Sequence, residues 1–178
     1  MTLSRRKKGV PAKNADVPST LLEPVLTEYE LVIARLIDAP RSRVFQAWTD
    51  PTELVCWWGP NGFTTPVCEL DVRPGGGFSM AVRDPEGEVY PIRGIYREVV
   101  PHERLAYSDD WAPELGLSQA SHVTVNFNDQ AGKTLLAVHA HFESPEARDT
   151  MEQQGLIEGW SEGLERLARH LGVVSSRD

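Results

Sequence analysis

At 178 residues, with 40% hydrophobic and 25% charged side chains, the chain has the length and balance of one soluble globular domain with a true core. Its net charge is −8; the first 28 residues carry five basic and three acidic side chains, a net +2, which leaves −10 on the remainder. That acidity argues against nucleic acid or an anionic membrane as the partner, and two cysteines, Cys56 and Cys68, are too few for a disulfide scaffold.

Residues 1–26 are polar, proline-bearing and aperiodic, and read as a flexible tail. The basic run Arg5-Arg6-Lys7-Lys8 is followed by no apolar stretch, so it is not a signal peptide, and no segment reaches the length of a membrane span. A cytoplasmic protein with reduced thiols is expected. A domain over residues 27–172 follows, then a short tail at 173–178.

Residues 29–37 are rich in β-formers and read as the first strand. Pro40 opens a short helix with Val44, Phe45 and Trp48 on one side; Asp50-Pro51-Thr52-Glu53 then starts a second, which Gly59-Pro60 stops. The aromatic loop Trp57-Trp58-Gly59-Pro60-Asn61-Gly62-Phe63 closes this block. From residue 64 onward strands follow one another: 66–72, 78–83, 88–99, 104–109, 119–127 and 134–142, with a proline- and glycine-bearing loop at 111–117. Gly75-Gly76-Gly77 lacks the spacing and the following helix of a phosphate loop and reads as a turn. The pairs Asp109-Asp110 and Glu86/Glu88 read as solvated carboxylates in turns.

Residues 144–172 read as one long helix. Ser144-Pro145-Glu146 is a capped start, and Arg166, Arg169, His170 and Gly172 suit its end. Leu156, Ile157, Trp160, Leu164, Leu167 and Leu171 form an apolar face, on a rod of roughly 40 Å. Gly155, Gly159 and Gly163 recur at spacing four along it, each costing roughly 0.5–1 kcal/mol relative to alanine. Either a facing backbone approaches closely there, or a groove is left open; the spacing alone leaves both readings standing.

The order of elements implies an α+β fold in which a curved antiparallel β-sheet of about seven strands wraps around the long C-terminal α-helix, with two short helices after the first strand. The architecture resembles the helix-grip fold, and the residues resemble a family. Asp38-Ala39-Pro40 with Val44 and Trp48, Trp57-Trp58-Gly59-Pro60, Arg73-Pro74-Gly75-Gly76, Gly94-Ile95-Tyr96, Pro101 with Arg104-Leu105, Thr134-Leu135 and Gly159-Trp160 carry the likeness. It is to proteins related to the activator of the heat-shock-protein-90 ATPase, within the START and birch-pollen-allergen (SRPBCC) superfamily, and covers roughly residues 29–171. The resemblance implies a cavity between sheet and long helix that in many relatives takes an apolar or amphipathic small molecule. It does not imply one activity, since the superfamily also holds aromatase/cyclases and oxygenase domains.

The expected binding surface is the inner one. Trp48 and Trp57 come from the short helices; Phe78, Met80, Tyr90, Ile92 and Tyr107 from the middle strands; Val123 and Val125 from a later strand; and Gly159, Trp160 and Leu164 from the long helix. The alternative is that these side chains pack as plain core. On the opposite face, placing Gln130-Ala131 at the last turn pairs His122 with His139 and Val123 with Val138, and sets His141 and Glu143 beside them. Polar residues belong on that solvent face, so no functional metal is expected. No nucleophile or acid–base pair stands out, so no catalytic residue and no cofactor are assigned. The expected function is non-catalytic binding of a small apolar or amphipathic molecule, with no nucleic acid or membrane partner and with homodimerisation left open. A cyclase- or hydrolase-type enzyme on a polyketide-like or aromatic substrate is one rival. A stress- or chaperone-related interaction module that displays the Trp57–Phe63 loop as an exposed patch is the other.

Overall fold

The computed structural model describes residues 20–111 and 121–172. The basic run, the loop at 112–117, the start of the strand expected from 119 and the tail at 173–178 lie outside the described residues. Among the described residues nine strands form one antiparallel sheet. They are β1 (Thr20–Leu21), β2 (Val25–Leu26), β3 (Glu30–Ile37), β4 (Thr64–Leu70), β5 (Gly77–Arg83), β6 (Val89–Val100), β7 (Arg104–Trp111), β8 (Ser121–Gln130) and β9 (Lys133–His141). The order across the sheet is β1-β3-β9-β8-β7-β6-β5-β4, with β2 also pairing β3. Helices α1 (Arg41–Thr49) and α2 (Pro51–Trp57) follow β3, and α3 (Pro145–Gln153) and α4 (Leu156–His170) follow β9. This is the α+β helix-grip architecture.

Local chemistry explains the boundaries. Asp50 caps α2 by accepting from the Thr52 amide at 2.8 Å, and Ser144 caps α3 by accepting from Ala147 at 3.1 Å. Along β3 and β9 every second side chain is buried, which commits one face of the sheet to the core. That core joins Ile33, Ile92, Phe127 and Leu136 of the sheet to Val44, Trp57, Leu164 and Leu167 of the helices. Arg35 on β3, itself buried, is ion-paired with Glu165, which fixes α4 across this end of the sheet.

Four expectations are corrected. Residues 20–26 are not tail: Thr20 and Leu21 pair with Leu36 and Arg35, and Val25 and Leu26 pair with Val32 and Leu31. Residues 144–172 are not one rod, because Gly155 adopts φ 85 and separates α3 from α4. The last hairpin turns at Ala131-Gly132, both at positive φ, instead of Gln130-Ala131. His122 therefore pairs with His141, Val123 with Ala140, and Val125 with Val138. The shift is by two residues, so each side chain keeps its face. Finally, Asp109 lies in β7 and is buried, not a solvated turn residue.

The histidine face is accordingly polar but not uniform. His122 and His141 are exposed, whereas His139 is half-buried, with Nδ1 2.9 Å from Oε1 of Glu30. Among the described residues no three His, Cys, Asp or Glu side chains are grouped to hold a metal.

Candidate functional site

The aromatic loop after α2 is tied to α4 by a cation. Nη1 of Arg166 donates to the carbonyls of Trp58, Gly59 and Pro60 at 3.0, 2.8 and 2.8 Å. Burial first, and then the neighbouring Arg169, push the Arg166 guanidinium below its ordinary pKa. Glu162 adds a second tie by accepting from the Asn61 amide at 2.8 Å. The loop is therefore pinned by its backbone, and its rings turn inward: Trp57 and Trp58 are buried. The two tryptophans thus belong to the core, while Asn61 and Gly62 are exposed and Phe63 is half-buried.

Those rings build a wall with two partners from elsewhere. Trp48 stacks on Trp160 at 6.0 Å between centroids, meets Trp57 at 4.9 Å, and meets Trp58 edge-on at 5.9 Å. Trp58 in turn meets Trp160 at 5.4 Å. Such pairs contribute roughly 0.5–1.5 kcal/mol each beyond area burial, so the wall is stiff. The Trp57 indole donates to the Ala47 carbonyl at 2.9 Å, which fixes its tilt.

A groove of ≈ 330 Å³ runs along this wall. Trp57, Trp58 and Trp160 form one side with Pro60 and Phe63, Val82 and Tyr90 rise from the sheet, and the α3–α4 elbow closes the far side with Met151, Gln154 and Leu156. Gly155 and Gly159 border it. The Tyr90 hydroxyl donates to Asp84 at 3.0 Å; that bond, ahead of other effects, raises its pKa and keeps the phenol protonated.

The three glycines have three different surroundings. A Cβ on Gly159 would meet Pro60 Cγ at 3.7 Å, with the groove beyond. A Cβ on Gly163 would face the Gly59 backbone, its oxygen at 3.7 Å. Gly155 is the left-handed turn itself.

Of the expected lining residues, Trp57, Tyr90, Gly159 and Trp160 border the groove. The others are core. Ile92, Val123, Val125 and Leu164 are packed among their neighbours. Trp48, Phe78, Met80 and Tyr107 surround a separate inner cavity of ≈ 20 Å³, with Trp58 also on its wall. Phe78 fills the space over Gly94, where a Cβ would come within 2.2 Å of its ring. Alternation identifies the inward face but does not say where packing leaves room. The expected lining did not include Trp58, Gly59, Pro60 and Phe63 of the loop, Val82, or the elbow residues Met151, Gln154, Gly155 and Leu156. Proline and glycine flanking the tryptophans, and Gly155 after two glutamines, are the signals that point to them.

No helix among the described residues is long and apolar enough to cross a membrane. A search of curated proteins finds no match. Among solved structures, a protein from Arthrobacter aurescens superposes with a TM-score of 0.80 at 24% identity, over 88% of this chain and 94% of that one. A protein from Mycobacterium smegmatis gives 0.77 at 23% identity, over 89% and 99%. One from Nitrosomonas europaea gives 0.74 at 25% identity, over 83% and 97%. These likenesses establish the fold over nearly all of each relative. The model of the family described as activator of Hsp90 ATPase homolog 1-like protein matches residues 38–172, from the end of β3 to the cap of α4, and the chain belongs to that family.

Proposed function

We propose that this protein binds a small apolar or amphipathic molecule in the groove between the tryptophan wall and the α3–α4 elbow, without covalent chemistry. One observation carries the reading: a groove of ≈ 330 Å³, within the usual size range for small-molecule sites, borders Gly159, where a helix would ordinarily carry a side chain. Its lining is aromatic and aliphatic, with Gln154 and the Tyr90 hydroxyl as polar points. Among the described lining residues Tyr90 is the one ionisable side chain, and its proton is engaged by Asp84. A general acid or base is what a cyclase or hydrolase would need there, so the lining supports binding over catalysis.

The test is titration of full-length protein with N-phenyl-1-naphthylamine, a neutral apolar fluorescent probe. Binding is read by probe emission and by the NMR signals of the Met151 methyl and the Trp160 indole. Saturable uptake that shifts both signals is expected. Absence of saturation, or shifts confined to the histidine face, would overturn the proposal.

A further inference from the structure

Three buried hydrogen-bond donors in this molecule have no partner among the described residues. They are the indole Nε1–H groups of Trp48 and Trp58 and the hydroxyl of Tyr107. The three residues are 3%, 6% and 6% exposed, so bulk water does not serve these groups. Buried polar groups are nearly always paired, and one orphan would call for a local explanation. Here all three orphans belong to residues around a single inner cavity of ≈ 20 Å³.

That cavity abuts the outer groove through one side chain. Trp58 lines both spaces, with its ring between Trp48 and Trp160. Its carbonyl is fixed by Arg166, so any passage between the two spaces has to involve the ring and not the backbone. A group that passes from the groove into the inner cavity must therefore displace the Trp58 ring against Trp48 and Trp160.

The unpaired groups around the inner cavity are one-sided. Two indoles donate only, and a phenol donates while keeping weak acceptor capacity. Tyr107 stays protonated, because burial first and the charge of Asp109 second push its hydroxyl well above the ordinary tyrosine range. The volume holds about one oxygen-sized group and not a ring. No cationic side chain lines either space among the described residues, and Nη1 of Arg166 is already engaged by three carbonyls. An anion placed there would be buried beside Asp109 without compensation.

We propose, building on the groove reading above, that the inner cavity receives the acceptor oxygen of a molecule whose apolar body lies in the outer groove, and that the ligand class is a neutral carbonyl, ester or ether compound. A hydrocarbon leaves the three donors unpaired, and a carboxylate adds an unpaired buried charge. The oxygen of a carbonyl accepts two bonds, enough for both indoles or for one indole and the phenol.

Three naphthalenes of similar shape test this on full-length, ¹⁵N-labelled protein: 2-acetylnaphthalene, 2-ethylnaphthalene and 2-naphthoate. Affinities are read by displacement of N-phenyl-1-naphthylamine, and indole Nε1–H signals by NMR, assigned with single Trp→Phe variants. The ketone is expected to bind about tenfold tighter than the ethyl compound, the factor of one well-made buried hydrogen bond, and the naphthoate most weakly. The Nε1–H signals of Trp48 and Trp58 are expected to move with the ketone alone. Tyr107→Phe, which removes one oxygen, should narrow the ketone preference while leaving the melting temperature unchanged or raised. Equal binding of ketone and ethyl compound, with both indole signals still, would overturn the acceptor assignment and leave the groove reading intact. So would a long-lived water that stays in contact with both indole protons in ketone-saturated protein. Failure of all three compounds to bind would overturn the groove reading itself.

Discussion

The two ends of α4 carry glycine at the same spacing and use it in opposite ways. Toward the C-terminal end, Gly163 lies against the Gly59 backbone, with Leu164, Leu167 and Ala168 buried around it and Arg166 pinning the loop from the same helix. Here there is space for a methyl group at most, because the Gly59 backbone lies directly beyond it. Toward the N-terminal end, Gly155 turns the chain and Gly159 borders the groove, with Pro60 as its nearest neighbour. Here the missing side chain leaves room. One repeat in the sequence thus closes half of a helix and opens the other half. The lesson is that small residues mark where volume is withheld, while the facing element decides whether backbone or ligand takes it up.

The comparison breaks first at Gly163. Alanine there makes only ordinary contact with the Gly59 oxygen, whereas leucine must push its branches into a loop held by three hydrogen bonds to Arg166. Gly163→Leu is expected to cost about 1–3 kcal/mol by overpacking, and Gly163→Ala to be neutral or stabilising. Chemical denaturation of both variants checks this; a harmless leucine would mean the closed half is not closed. At Gly155 the effect is one of backbone alone, because a Cβ would meet nothing nearer than Glu158 Oε2 at 3.8 Å. Its φ of 85 makes Gly155→Ala cost about 1–2 kcal/mol. A loss no larger than that of an exposed helix substitution would show that the elbow adapts.

Much of this was legible in the chain. Proline and capping residues placed the starts of α2 and α3 correctly, and alternation placed the strands from β3 onward and their buried faces, whereas β1 and β2 were read as tail. The elbow was not legible, because a glycine at helical spacing looks the same whether the helix continues or ends. Only the left-handed φ of Gly155 separates the two. The hairpin register missed by two residues for a related reason: Ala131 takes a positive φ that alanine seldom adopts, so Gly132 is the second turn residue instead of the first strand residue. Faces survived that error, and partners did not. At the site, Phe78, Met80 and Tyr107 face inward as expected, yet they surround the inner cavity and not the groove. Direction follows from period two, but free volume depends on how large rings such as Phe78 settle over Gly94.

A smaller effect sharpens the contrast through pH. At the closed end, His170 of α4 and Arg43 of α1 both reach Oε2 of Glu53 on α2, at 3.1 and 2.5 Å. Burial raises the pKa of this carboxyl, but the bonds from Arg43 and His170 together outweigh it and hold Glu53 below its ordinary value. A depressed carboxylate stabilises the fold fully above its unfolded pKa, and that contribution is lost as pH falls through the folded value. As pH falls, amide protection factors, corrected for the intrinsic slowing of exchange in acid, should therefore drop at the C-terminal end of α4 before its N-terminal end. Glu53→Gln should abolish the difference. Equal loss of protection at both ends in the wild-type chain would remove Glu53 from the account.

The central claim, that the space beside Gly159 is kept for a small molecule, rests most directly on one variant. Gly159→Leu replaces a poor helix former with a good one, a gain of up to roughly 1 kcal/mol, and sends its side chain past Pro60 into the groove. Melting temperature and N-phenyl-1-naphthylamine uptake are measured on the same preparation. The account predicts an unchanged or raised melting temperature together with clearly weakened uptake. A large loss of stability, or full uptake by a stable variant, would contradict it.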